Sequence, residues 1–144
     1  MPRHLAACVT AFVVGAATVG VAQKVVGPDE FDRAMKTIGT AFDSVQKSIE
    51  SKAFVEAKTP LALSRQILAS TRPFWTAAQK PDAAKMAKET VARLDALDKA
   101  LSSTAVDAGA VAAALQGVNR GCDACHMAYR EGNPQSGYRI KSSR

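Results

Sequence analysis

The 144-residue chain is poor in the residues that most often carry chemistry. It has three cysteines, two histidines, one tryptophan and two tyrosines, and aromatics make up 6% of the whole. Few strand-forming aromatics and no alternating apolar pattern exclude a β-sandwich or barrel. No internal repeat or low-complexity block appears, and neither does a nucleotide-binding motif. With no acid–base dyad on a shared face, the chain is not expected to be an enzyme. What remains is a single domain of ordinary size, 47% apolar, with a formal net charge of +6.

The N-terminus is set apart from that domain. A short basic start, Met1 to His4, precedes an uncharged, mostly apolar run from Leu5 to Val21. Small residues follow, with a cleavage point after Ala22. Residues 1–22 are therefore expected to be a cleaved signal peptide and 23–144 the mature domain, placed in the periplasm. An uncleaved membrane anchor is the alternative, since the run nearly spans a bilayer. Cleavage removes Cys8 and His4. The mature chain then keeps Cys122, Cys125 and His126 alone of those two residue types.

The mature chain carries four helical signals. Pro28-Asp29 opens a helix over 29–51 whose apolar residues Phe31, Met35, Ile38, Phe42, Val45 and Ile49 step 4, 3, 4, 3, 4. A second region begins near Phe54. Thr59-Pro60 marks a first turn within it, which splits it in two, and Pro73 is expected to kink it. Lys80-Pro81-Asp82 breaks the chain before a third helix with Ala84, Ala87, Val91, Leu94, Leu97 and Leu101 on its seam. Asp107 caps a fourth helix. Val111, Leu115, Val118, Cys122, Cys125 and Tyr129 form its seam, Gly132-Asn133-Pro134 ends it, and a loose tail is expected beyond. Four helices with short connections predict an all-α, antiparallel up-down-up-down four-helix bundle.

On that last helix, "GCDACHMAYREG" places Cys122 and Cys125 one turn apart and His126 beside them. Zinc requires four ligands, and this cluster offers three. A redox dithiol belongs at a strand-to-helix turn in a βαβ setting, which is missing. The remaining reading is covalent haem. In C-x-x-C-H two thiols bond one haem edge and the next imidazole ligates the iron. One haem c with iron is thus expected, anchored through Cys122 and Cys125, with His126 as proximal ligand.

"CDACHMAYR" on the last helix and "MKTIG", Met35 to Gly39, on the first together resemble the class II c-type cytochromes, cytochrome c′ and its low-spin relatives. Cytochrome c′ is itself a standard example of the four-helix bundle. The resemblance implies that Met35 faces the distal side of the haem. Helix geometry agrees: Met35 lies about 9 Å and His126 about 7–8 Å in from one end of an antiparallel pair. Met86 falls off its own seam. The family often has an arginine four residues before the distal position. Phe31 stands there, with Arg33 nearby. The segment between Met35 and Cys122 is also shorter than usual. Arg33 and Arg130 are the candidate propionate contacts, the latter on the face of His126 four residues on. Trp75 and Phe74 are expected to pack the core or the haem face.

The expected function is electron transfer with periplasmic redox partner proteins, which a mild positive field would steer. The alternative is a haem protein with an open sixth coordination site that binds small gases such as NO or CO. A homodimer is a candidate assembly, and no nucleic acid is expected as a partner.

Overall fold

The structure is a computed structural model, which describes residues 25–141. The expected signal peptide and its cleavage point lie outside the described residues. No described helix is long and apolar enough to cross a membrane.

Helix α1 spans Pro28–Glu50, with proline in its first turn and Asp29 and Glu30 against the positive end of its dipole. The second region is two helices, α2 (Lys58–Ser70) and α3 (Arg72–Ala77). They break at Thr71, and Pro73 sits in the first turn of α3. The expected kink is therefore a fresh start, because a first-turn proline loses no helical hydrogen bond. Helix α4 runs Pro81–Leu101 and α5 Ala108–Tyr129. The Asp107 carboxylate caps α5, accepting from the Gly109 and Ala110 amides at 2.7 and 3.3 Å.

With α2 and α3 forming one column, the chain is a four-helix bundle. Close packing joins α4 to α5, α1 to α2, and α2 to α4, while α1 and α5 make no comparably close contact. The core has two layers. At one end Phe31, Phe74, Trp75 and Tyr129 gather with Ala34, Ala83 and Ala87. At the other, Val45, Leu61, Leu94, Leu97, Val111 and Val118 fill the space. Leu68 packs against both. The aromatics interlock: Phe31 stacks on Phe74 with centroids 4.2 Å apart, and Trp75 meets both edge-on at 4.9 and 5.0 Å. These are favoured quadrupole arrangements.

The seams match the expected ones only in part: Phe31, Val45, Ala87, Leu94, Leu97, Leu101, Val111, Val118 and Tyr129 are buried as expected. On α1 the buried residues are Phe31, Ala34, Ala41 and Val45, and Met35, Ile38, Phe42 and Ile49 are half-buried. On α4, Ala83 and Thr90 are buried where Ala84 and Val91 were expected. On α5 the buried set is Val111, Val118, Gly121 and Tyr129, with Leu115 and both cysteines half-buried. Several of the unexpected buried positions carry small side chains, Ala34, Ala41, Ala83 and Gly121 among them.

The tail is not loose. Strands β1 (Arg130–Asn133) and β2 (Gly137–Ile140) pair antiparallel, Arg130 opposite Ile140 and Gly132 opposite Tyr138. The Asn133 side chain accepts from the amides of Gln135 and Ser136 at 3.0 and 2.8 Å, which closes the turn. Gly132 has φ +94°, and a Cβ there would lie 2.1 Å from the Gly137 carbonyl oxygen, so only glycine fits.

Candidate haem site

The last three turns of α5 carry the motif. Cys122, Cys125 and His126 are all half-buried. The cysteines are free thiols on neighbouring turns of one helix. Cys125 packs against the aromatic core layer and Cys122 against the aliphatic one, so the pair straddles the junction of the two.

Two contacts fix this segment. Gly121 lets α4 come close, since a Cβ there would lie 2.6 Å from Thr90 Oγ1 and 3.2 Å from Arg93 Cδ. Arg93 Nη1 also donates to the Gly117 carbonyl at 3.1 Å. At the end of the helix, Tyr129 is 2% exposed and its hydroxyl donates to Asp82 Oδ2. Its ring lies 5.5 Å from Trp75, and the Lys80 ammonium sits 5.6 Å from its centroid.

The thiols have raised pKa values. Burial, with the charges of Cys122 and Asp82 behind it, pushes Cys125 up to about 11. Burial and then Asp123 raise Cys122. A catalytic redox dithiol needs the opposite, a stabilised thiolate. Among the described residues no group of three or more His, Cys, Asp or Glu gathers around a metal position. Burial, and next the Arg130 charge, lower His126, with Asp123 opposing. Both effects favour the neutral imidazole, the form that ligates iron. Two adjacent protonated thiols and a neutral imidazole on one half-buried surface fit a thioether-bound, histidine-ligated haem.

The other candidates are spread out. Met35 is half-buried and packs on the layer that holds Cys125. Met86 packs on it too, because the buried line of α4 passes through Ala83 and Thr90. Gln46 Nε2 donates to Asn119 Oδ1 at 3.5 Å, a side-chain hydrogen bond between α1 and α5. Arg33 is exposed and 3.6 Å from Glu30 in an ion pair. Arg130 is also exposed and has left the helix: its backbone is extended, so it does not continue the face of His126. Its guanidinium lies 4.4 Å from the centre of the Tyr138 ring. Phe74 and Trp75 are core residues.

Two features escaped the sequence reading. Gly121 was not singled out, although a glycine inside a helix next to a motif is the usual mark of close approach. Tyr129 looked like seam packing, and its bond to Asp82 joins the end of α5 to the start of α4, which periodicity does not register.

Comparison with curated proteins and with solved structures found no match. The family model for Cytochrome C′ matches residues 9–130, which takes in the first helix and the whole of the C-x-x-C-H segment. On that match and the thiol–imidazole surface of α5, the chain belongs to the cytochrome c′ family and carries one covalent haem c with its iron.

Proposed function

We propose that the chain is a periplasmic monohaem electron carrier with Met35 as the sixth iron ligand, and that it is not an enzyme. The observation that supports this is the unequal packing around α5. On one side α4 is closed down at Gly121, directly beside Cys122. On the other, α1 stays less closely packed and presents a half-buried Met35 to the layer of Cys125. A flat ring anchored at Cys122 and Cys125 would find more room towards α1 than at the close α4–α5 crossing by Gly121. That favours Met35 over Met86.

Bound haem iron supplies one-electron redox chemistry. The side chains of this protein set its conditions. His126 would hold the iron through its imidazole, and a Met35 thioether ligand would raise the reduction potential. Phe31, Phe74 and Trp75 keep that end of the core dry, which holds the ligand set fixed and disfavours the more highly charged oxidised site.

Visible spectra of the holoprotein in both oxidation states, with and without carbon monoxide, test this reading. The wild type is expected to be low-spin and inert to carbon monoxide. Met35→Ala is expected to turn high-spin and bind it, while Met86→Ala changes neither property. A wild type that is already high-spin and takes up carbon monoxide readily would replace the carrier by the gas-binding protein.

A further inference from the structure

Contacts from three directions converge on Tyr129, which lies one helical turn beyond Cys125 on α5. Its ring is 5.5 Å from Trp75, and its carbonyl accepts from the Lys141 amide at 2.8 Å. Its hydroxyl donates to Asp82 Oδ2. Tyr129 is buried and Asp82 exposed, so the phenol reaches from inside the aromatic layer to a carboxylate at its rim. Packing alone asks for no hydroxyl here, since Phe31 and Phe74 serve the same layer without one.

That bond fixes a negative charge beside the haem attachment point. Tyr129 and Cys125 share the aromatic layer, and the Asp82 charge is among the causes, after burial and Cys122, that raise the Cys125 thiol. The neighbouring charges divide up differently. Lys80, in the turn before α4, helps to keep Asp82 ionised and lies over the same phenol ring. Lys85 on α4 pairs with Glu89 at 3.9 Å. From α3 the layer receives Phe74 and Trp75, both uncharged. On α5, Asp123 acts on Cys122 and His126. On the hairpin, Lys141 donates to the Met127 carbonyl, Arg139 binds Glu131 and Arg130 lies over Tyr138.

We propose that the Asp82 carboxylate, oriented by the Tyr129 hydroxyl, lowers the reduction potential of the haem held at Cys125 and couples it to pH. The use of such a device rests on the electron-carrier reading above. Loss of one electron leaves the site one charge more positive, and a nearby carboxylate stabilises that state. The coupling is reciprocal: where Asp82 titrates, gain of one electron at the site strengthens the binding of one solvent proton to the carboxylate, and no other bond forms or breaks. Asp82 is thus a positioning and tuning residue, outside the ligand set.

The test is a mediated redox titration of the holoprotein, followed by its visible bands, from pH 7 down to about pH 3, where aspartate titrates. The variants are Asp82→Asn, Asp82→Glu and Tyr129→Phe. At pH 7 and a fixed mediator potential, Asp82→Asn is expected to lower the ratio of oxidised to reduced protein by roughly two- to fivefold. Asp82→Glu keeps the charge and should keep the wild-type ratio. In acid the wild-type potential should rise to meet that of Asp82→Asn. Tyr129→Phe removes the bond that favours the ionised carboxylate, so the same rise should come at higher pH. Equal potentials for wild type and Asp82→Asn at pH 7 would overturn the proposal. So would a Tyr129→Phe profile that coincides with the wild type, or an Asp82→Glu protein that behaves like Asp82→Asn, which would signal lost packing and not lost charge. The carrier reading fails on a separate readout, carbon monoxide uptake by the reduced wild type, which leaves these potential differences as measured.

Discussion

The phenol of Tyr129 donates a hydrogen bond to the carboxylate of Asp82, joining the last turn of α5 to the first turn of α4. This bond is the main cause that holds Asp82 below the ordinary carboxylate pKa, with burial opposing it. A depressed folded pKa gives stability that is present above the unfolded value, about 3.9 for Asp, and lost as pH falls through the folded one. Asp82→Asn keeps an acceptor and loses the charge. Thermal melts are expected to show the wild type more stable than Asp82→Asn at pH 6, with the gap closing as acid protonates Asp82. A gap that stays constant down to about pH 2 would mean the carboxylate gains nothing from being ionised.

Gly121→Ala forces a methyl group towards Thr90. That threonine is buried and its hydroxyl donates to the Met86 carbonyl at 2.9 Å, so it cannot simply turn aside. Overpacking of this kind costs about 1–3 kcal/mol. Gly117 and Gly39 have nothing within 4 Å of an added Cβ. Alanine at either is expected to stabilise the holoprotein by up to about 1 kcal/mol through helix propensity. Denaturant midpoints of the three variants check the contrast.

Removing the α5 cap is a smaller loss. Asp107→Ala takes away the acceptor for the Gly109 and Ala110 amides. The expected cost is about 1 kcal/mol, with no change in the visible spectrum. Chemical denaturation followed by circular dichroism measures it.

Haem attachment is expected to be covalent and single. Acid extraction should leave one haem on the mature chain, seen as added intact mass. Cys122→Ser with Cys125→Ser should lose that mass and yield a chain without a cooperative thermal transition, because an unfilled haem-sized space at about 24 cal/mol per Å³ would consume most of a typical 5–15 kcal/mol. A cooperative melt near that of the holoprotein would contradict this.

The Asp107 cap and the helix breaks at Pro28 and Pro81 were legible because their cause is local: a side chain or a ring acts on the backbone beside it. The motif was legible for the same reason. The seams were legible in part: Phe31, Val45, Ala87, Leu94, Leu97, Leu101, Val111, Val118 and Tyr129 are buried as expected, while Ala34, Ala41, Ala83, Thr90 and Gly121 are buried without having been singled out. Periodicity reports which side of a helix is apolar and not where a neighbouring backbone comes nearest. The hairpin escaped because its strands, Arg-Glu-Gly-Asn and Gly-Tyr-Arg-Ile, lack apolar alternation. Its signals were the glycines at 132 and 137 and the Asn133 turn, which looked like a helix stop.

The placement of the two cysteines bears on cooperativity. Cys125 belongs to the aromatic layer and Cys122 to the aliphatic layer, and Leu68 packs against both. Helices α1, α4 and α5 also run through both layers, so a haem bonded to both sulfurs would touch each layer, and its loss is expected to loosen the whole bundle together and not one end alone.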